Sequence, residues 1–159
     1  MIRSWHLGDD RQSLVLASFD DRLPEAVYWG PALPTGENLE TLSAAALADV
    51  TGGMVDRNAG LSLCPEASES FPGQTGLTAR NASGAPLMPS FRFESEAASE
   101  HGLTLVFADN SLDLSLVFDL VLTPETSLLM LQTRLESADE ITVDWLAAPV
   151  LPVPAHTAR

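Results

Sequence analysis

The chain has 159 residues, 45% of them hydrophobic, and its net charge at pH 7 is −14, from 22 carboxylates against eight arginines and no lysine. One domain is the natural expectation at this length, with roughly two-thirds of the unfolded surface buried. So acidic a surface repels phosphate backbones and anionic lipid, and we therefore expect no nucleic-acid partner and no membrane partner.

Three short strands are predicted in the first 31 residues. Trp5–Leu7 and Ser13–Phe19 flank the turn residues Gly8-Asp9-Asp10, so we expect them to pair as a hairpin. A third strand covers Glu25–Pro31. Its terminal proline stops the strand, because proline has no N–H to donate to a neighbouring strand.

A helix and a long loop are predicted next. Four apolar residues between Glu37 and Asp49 recur at helical spacing: Leu39, Leu42, Ala46 and Leu47. With Gly52-Gly53 as the stop, this pattern predicts a short helix packed across the open end of a sheet. The stretch Leu61–Gly76 is rich in Pro, Gly, Ser and Glu, which predicts a long loop around a short strand at residues 61–63.

The strongest pattern lies in the C-terminal third. Six apolar residues there occupy every second position: Leu112, Leu114, Leu116, Phe118, Leu120 and Leu122. This is the period of a strand with one apolar face. Further strands are predicted at residues 77–80, 89–95, 103–107, 128–135 and 141–145, and short turns join the last four strands into an antiparallel meander. Trp145 alternates with Ile141 and Val143, so it is predicted to lie in the core.

Together these patterns predict an all-β, antiparallel sandwich of two packed sheets with one short helix. A sheet with one apolar face needs a second layer, which the first hundred residues would supply. We expect the sandwich over residues 1–148. Residues 149–154 include three prolines, so 149–159 is expected to be a stiff, extended exit segment.

Few residues indicate catalysis or a metal site. His6, His101 and His156 are scattered, and Cys64 is the single cysteine, so neither a metal site nor an internal disulfide is predicted. Carboxylate pairs such as Glu66/Glu69 are expected by chance among 22 acids and are interpreted as a solvated face. No apolar run approaches the roughly 18 residues of a membrane span, and a signal-peptide core is missing, which predicts a cytoplasmic protein.

The order of several weak motifs adds a family resemblance. The motifs are Leu23-Pro24 with Val27-Tyr28-Trp29-Gly30-Pro31, Met54-Val55-Asp56-Arg57, Leu61-Ser62-Leu63-Cys64-Pro65-Glu66, Phe71-Pro72-Gly73-Gln74-Thr75-Gly76, and Leu146 to Pro154. In this order and spacing the chain resembles, over nearly its whole length, the N-terminal domain of bacterial α-galactosidases of glycoside hydrolase family 36.

The resemblance implies a β-supersandwich that precedes a (β/α)8 catalytic barrel and a C-terminal β-domain. It implies a retaining enzyme that releases terminal α-linked galactose from oligosaccharides without a cofactor. Its two catalytic aspartates would lie on the barrel, about 5 Å apart. A barrel needs on the order of 250 residues, so no catalytic residue is assigned here. We expect a non-catalytic domain that packs on the downstream barrel, shapes its mouth and can take part in a homo-oligomer.

The resemblance also directs attention to the loop from Pro65 to Gly76. Many family members have Glu-Tyr-Pro and then Gly-Asp-Phe-Arg there, whereas residues 69–76 read Glu-Ser-Phe-Pro-Gly-Gln-Thr-Gly. Phe71 and Gln74 are candidate sugar contacts, because an aromatic ring can stack on a pyranose and an amide can bind a hydroxyl. Trp29, at a strand end, is a third candidate. For all three, packing within the protein is the alternative.

Two other functions stay open at this point. One is a stand-alone carbohydrate-binding sandwich that acts through surface aromatics, and the other is a purely structural β-domain. A stand-alone module is expected to be monomeric and to bind free sugar. A domain cut from an enzyme is expected to expose an apolar patch where its partner domain belonged.

Overall fold

A computed structural model describes residues 1–47 and 59–152 of the chain. These residues form nine β-strands, one α-helix and one turn of 3-10 helix. The strands are β1 (Ile2–Gly8), β2 (Gln12–Phe19), β3 (Glu25–Pro31), β4 (Leu77–Asn81), β5 (Arg92–Ala98), β6 (Gly102–Asp109), β7 (Leu114–Thr123), β8 (Leu128–Ser137) and β9 (Ile141–Leu146). The helix α1 covers Leu39–Ala46 and the 3-10 turn covers Ala67–Glu69.

All neighbouring strands are antiparallel, and they fall into three sheets. The first sheet has the order β1-β2-β3, the second β5-β6-β7-β8, and the third consists of β4 and β9. The all-β, antiparallel sandwich with one short helix is therefore confirmed, although its hydrogen-bonded strands form three sheets instead of two. The first predicted hairpin is also present, as β1 and β2, with Trp5 opposite Leu16.

The predicted meander is correct for most of its strands and wrong for the last one. β6, β7 and β8 are neighbours in that order, but β9 pairs with β4, from Leu77 opposite Leu146 to Asn81 opposite Ile141. Alternation along a strand predicts which face is apolar, but it does not predict which strand lies alongside. The pairing of β9 with the distant strand β4 could therefore not be predicted from the alternation.

The two residues before β5 donate their N–H groups to side chains. A strand was predicted at residues 89–95, yet β5 begins at Arg92. Ser90 N donates to Asp109 Oδ2 at 2.7 Å and Phe91 N donates to Glu66 Oε1 at 2.8 Å, so these groups are not free for a strand ladder. The short strand predicted at 61–63 is reduced to one bridge, between Ser62 and Glu25.

Trp145 does not lie in the core, because the pairing of β4 with β9 contains a bulge. Thr78 is opposite Trp145 and Ala79 is opposite Val143, which leaves Asp144 as an extra residue. A bulge of this kind shifts the alternation by one position. Trp145 therefore shares the outer face with Thr78, and its side chain is 49% exposed.

One apolar cluster joins the three sheets. Most of its buried members come from five strands: Trp5 and Leu7, Leu14 and Leu16, Leu77 and Ala79, Leu103, Leu105 and Phe107, and Leu114, Leu116, Phe118, Leu120 and Leu122. The others lie between strands: Leu23, Leu63, Cys64 and Phe91. The rings of Phe107 and Phe118 meet edge to face, with centroids 6.2 Å apart. Burial of this cluster is the main stabilising term, since hydrophobic stabilisation scales with apolar area removed from water.

The helix α1 begins at an asparagine cap. Asn38 Oδ1 accepts a hydrogen bond from Thr41 N at 2.9 Å, which satisfies one free N–H of the first turn. The helix packs mainly against the edge strand β1, where the hydroxyl oxygens of Ser4 and Ser43 lie 2.8 Å apart. The end of the predicted helix, with its Gly52-Gly53 stop, lies outside the described residues. In the described part of the chain, no helix is long and apolar enough to cross a membrane.

Two leucine-to-alanine substitutions test the position of the core. Leu116 in β7 is fully buried, whereas Leu128 at the start of β8 is 56% exposed. Leu116→Ala is expected to lower the free energy of unfolding by about 2–5 kcal/mol, because it leaves a cavity. Leu128→Ala is expected to change it by at most about 0.5 kcal/mol. Urea denaturation followed by circular dichroism measures both, and equal losses would contradict this placement of the core.

Candidate functional site

A cleft of about 300 Å³ opens between the end of β2, the start of β3 and the loop that precedes β4. Its lining is part aromatic and apolar, part charged: Phe19, Asp20, Arg22, Leu23, Glu25, Ala59, Gly60, Ser62, Glu66, Glu69 and Phe71. This volume is at the lower end of the range for small-molecule sites. The cleft is therefore large enough for a sugar-sized ligand.

Backbone contacts hold one wall of the cleft. Leu63 N donates to Pro24 O at 2.7 Å, and Ser62 forms its bridge with Glu25. A Cβ on Gly60 would lie 2.2 Å from the Glu25 carboxylate oxygens, so a larger residue could not occupy this position without displacing that side chain. The segment from Gly60 to Leu63 is thus held against the start of β3.

Glu69 joins three parts of the chain at the cleft. Its carboxylate accepts from Arg22 Nη1 at 2.7 Å and from Arg92 Nη2 at 3.3 Å. The Glu69 side chain is largely buried, while both arginines are about half exposed, so each pair contributes at most about 1 kcal/mol. Their main effect is geometric, since they tie the 3-10 turn to the turn after β2 and to β5.

Phe71 is directed to the cleft by the residues around it. Ser70 adopts a left-handed backbone with φ 58°, which redirects the chain after the 3-10 turn. A Cβ on Gly73 would come within 2.6 Å of the Phe71 ring, so the glycine makes room for the ring above the loop. Phe71 is partly exposed, and its ring is therefore available for stacking.

Glu66 is a buried carboxyl in the cleft wall. It is 7% exposed, and its Oε1 accepts from Phe91 N at 2.8 Å. Burial raises the pKa of Glu66 from the ordinary 4.5 to about 7, against the lowering effect of the Phe91 hydrogen bond. The charges of Glu69 and Asp109 contribute to this raised pKa, and the charge of Arg92 opposes it. Near neutral pH the carboxyl is thus partly protonated and can donate as well as accept a hydrogen bond.

Other reactive groups in the described residues offer little chemistry. The Cys64 thiol is buried, and burial together with the charge of Glu66 raises its pKa to about 12, so it stays protonated and unreactive. His6 Nε2 lies 2.8 Å from Ser13 Oγ. Among residues 1–47 and 59–152, no group of three or more His, Cys, Asp and Glu is arranged to hold a metal ion.

The structure separates the three predicted sugar contacts. Phe71 lines the cleft. Gln74 is exposed further along the same loop and does not line it. Trp29 is partly buried against the core, and its Nε1 donates to Gln12 Oε1 at 3.1 Å. Phe71 is thus the predicted residue that the fold brings to the cleft, and sugar contact by any of the three stays a prediction.

The interpretation of Glu66 and Glu69 as a solvated chance pair was wrong. Glu66 is buried and hydrogen-bonded to a backbone N–H 25 residues away, and Glu69 binds two arginines. One signal was present in the sequence, because Glu66 directly follows Leu63, Cys64 and Pro65, all buried. A carboxylate at the end of such an apolar run is a candidate for burial.

Neither protein-family models nor curated proteins match this chain, but solved structures do. One is a variant of the family 36 α-galactosidase AgaA of Geobacillus stearothermophilus in complex with 1-deoxygalactonojirimycin, with a TM-score of 0.71 and 14% identity over 92% of this chain and 24% of that chain. The α-galactosidase of Lactobacillus brevis matches with a TM-score of 0.66 and 12% identity, over 91% and 23%. The galactosidase domain of the α-galactosidase–sucrose kinase AgaSK matches with a TM-score of 0.69 and 15% identity, over 91% of this chain and 24% of that chain.

These likenesses establish the fold. The chain is an antiparallel β-sandwich with the architecture of one part of the family 36 α-galactosidases. It spans about a quarter of the length of the solved chains that it matches.

The buried Glu66 predicts that stability depends on pH. Its pKa in the folded protein, about 7, is above the ordinary 4.5, so the folded state binds the proton more tightly. The contribution of Glu66 to stability is therefore full below pH 4.5 and is lost as the pH rises through about 7. The difference in pKa corresponds to about 3 kcal/mol. We expect Glu66→Gln to flatten this decline, with its gain over wild type largest at pH 8.

Urea denaturation at pH 5, 6, 7 and 8 measures this dependence. Glu94→Gln is the matched control, because Glu94 is exposed on β5 and its replacement is expected to leave the slope unchanged. If Glu66→Gln and wild type lose stability in parallel between pH 5 and 8, the buried carboxyl does not titrate in this range.

Proposed function

We propose that this chain is the non-catalytic N-terminal domain of a retaining α-galactosidase, an enzyme that hydrolyses terminal α-linked galactose from oligosaccharides. The observation that carries the proposal is the shared fold over 92% of this chain with α-galactosidases about four times its length. One of those structures holds raffinose. In the proposed enzyme the remaining three quarters of the polypeptide supply the catalytic groups.

The path of the last described residues supports a position next to a catalytic domain. After β9, Ala147 N donates to Gly76 O at 2.7 Å and Val150 N donates to Leu63 O at 2.8 Å. The chain therefore runs beside the loop that carries Phe71. A polypeptide that continues from this point begins close to the cleft, as a domain that shapes the mouth of a barrel requires. Residues 153–159 of the predicted exit segment lie outside the described residues.

The chemistry of the cleft suits a neutral saccharide. Phe71 offers an aromatic face for a pyranose ring, Arg22 offers donors, and Glu66 and Glu69 offer oxygen atoms to sugar hydroxyls. Gln74, exposed on the same loop, is proposed as a further contact of a longer oligosaccharide. Trp29 lies away from this cleft and would meet a sugar at a different surface.

A stand-alone carbohydrate-binding domain is the second candidate. The observation that favours it is that the cleft is built within this chain, so a sugar could bind without a second domain. A purely structural domain is the third alternative, with no sugar binding. The cytoplasmic location and the homo-oligomer expected from the sequence stay predictions.

The sharpest test uses the polypeptide encoded up to its natural stop codon. A reading frame that continues for several hundred codons beyond Arg159, with a product that releases galactose from raffinose, would support the enzyme. The 159-residue chain alone is expected to release none. A stop codon directly after Arg159 would contradict the enzyme and favour the carbohydrate-binding domain. Calorimetric titration of the 159-residue chain with galactose and raffinose would then decide between binding and purely structural roles.

Phe71→Ala tests the cleft itself in the longer polypeptide. Loss of a ring contact worth about 1–1.5 kcal/mol is expected to raise KM for raffinose roughly tenfold, with kcat little changed. Phe71→Tyr is expected to restore KM, because it keeps the ring. Met88→Ala is the control, since Met88 is exposed outside the cleft. An unchanged KM in Phe71→Ala would remove Phe71 from the substrate site.

A further inference from the structure

The strand β9 ends in a group of exposed apolar side chains. Val143, Trp145 and Leu146 are 45%, 49% and 38% exposed. Together with the neighbouring Arg80 and Asp144, these residues form what we name the β9 patch. An exposed tryptophan on a strand is typical of an interface anchor, since tryptophan is enriched among the residues that dominate binding energy.

The charges in the β9 patch cancel. Arg80 Nε and Nη2 donate to the two carboxylate oxygens of Asp144 at 2.8 and 2.6 Å, which is a bidentate pair. The hydrogen bonds from Arg80 lower the pKa of Asp144, so the pair stays ionised and compensated. In a chain of net charge −14, the β9 patch thus adds nothing to the repulsion that a second acidic surface would meet.

The sheet that carries the β9 patch is small. Within the described residues, β4 and β9 are each other's only strand partners. Two-stranded ribbons are marginally stable unless another layer packs on them. Leu77 and Ala79 of β4 are buried in the core, whereas five of the six residues of β9 are exposed. The inner side of β4 is thus covered, whereas β9 is exposed on both faces. Trp145 is opposite Thr78 on the outer face, and Val143 and Leu146 are opposite Ala79 and Leu77 on the other face. Both faces of β9 are therefore left for a partner.

We propose that the β9 patch is the docking surface for the downstream part of the same polypeptide, with Trp145 as its anchor. The inference rests on the proposed function, because it needs such a part. Two observations favour this occupant over a second copy or a free sugar. The chain leaves β9 beside the patch, held by the contact of Ala147 with Gly76. It also spans only about a quarter of the solved chains that share its fold, so a large partner is attached in those proteins.

Hydroxyl-radical footprinting tests the docking surface. The 159-residue chain and the polypeptide made to its natural stop codon are labelled side by side, and oxidation is read by mass spectrometry. We expect oxidation of Trp145 to fall at least fivefold in the longer polypeptide. The buried Trp5 is expected to stay low in both, and the exposed Met88 to stay high in both.

Each other outcome overturns the inference in a recognisable way. Unchanged oxidation of Trp145 in a longer polypeptide that releases galactose would remove the docking surface and leave the proposed function standing. The absence of any longer polypeptide would remove both. Protection of Trp145 in the 159-residue chain that grows with its concentration would identify a second copy as the occupant. Protection that appears only on addition of raffinose would identify a sugar site.

A variant pair gives an independent reading. Trp145→Ala in the longer polypeptide is expected to speed trypsin cleavage after Arg159 about tenfold, because loss of the anchor loosens the contact between the two parts. Met88→Ala is expected to leave the cleavage rate unchanged. The circular dichroism of the 159-residue chain is expected to be the same with either substitution, since both side chains are about half exposed there. Equal cleavage rates for the two variants would overturn the role of Trp145.

Discussion

The burial of one face of β7 is the constraint on which the rest of the structure depends. Leu116, Phe118, Leu120 and Leu122 are each at most 2% exposed, and on a strand these side chains must all point the same way. A ten-residue strand with such a face is unstable in water unless a second layer covers it. β1 and β2 supply part of this layer, and the end of β2 then forms one wall of the cleft. The site is therefore held by the same packing that makes the sandwich.

Much of the fold could be predicted because apolar residues take every second position along β7 and turn residues separate the strands around it. The pattern of β7 gave its extent and its buried face, and the turns between β6, β7 and β8 gave their order. The same reasoning failed at β9 for two physical reasons. Its partner β4 lies about 60 residues earlier in the chain, and no local period encodes such a pairing. A single extra residue, Asp144, then reversed the side on which Trp145 points.

In the candidate site, too, the sequence indicated one residue and missed another whose contacts are distant in sequence. Phe71 was found because the resemblance directed attention to its loop. Glu66 was missed because its state depends on contacts that are distant in sequence, above all the N–H of Phe91. Burial raises its pKa to about 7, but composition and charge alone do not distinguish it among 22 carboxylates. What could have singled it out is the buried run that precedes it, from Ser62 to Pro65.

The cleft and the β9 patch are connected by a short piece of chain. Leu146 ends β9, and the residues after it bind Gly76 and then Leu63, on the loop whose later residues include Glu66 and Phe71. The two surfaces thus share one structural support. In the proposed enzyme, the following polypeptide would meet both surfaces, because one contact beside this support can cover the patch and close the mouth of the cleft together.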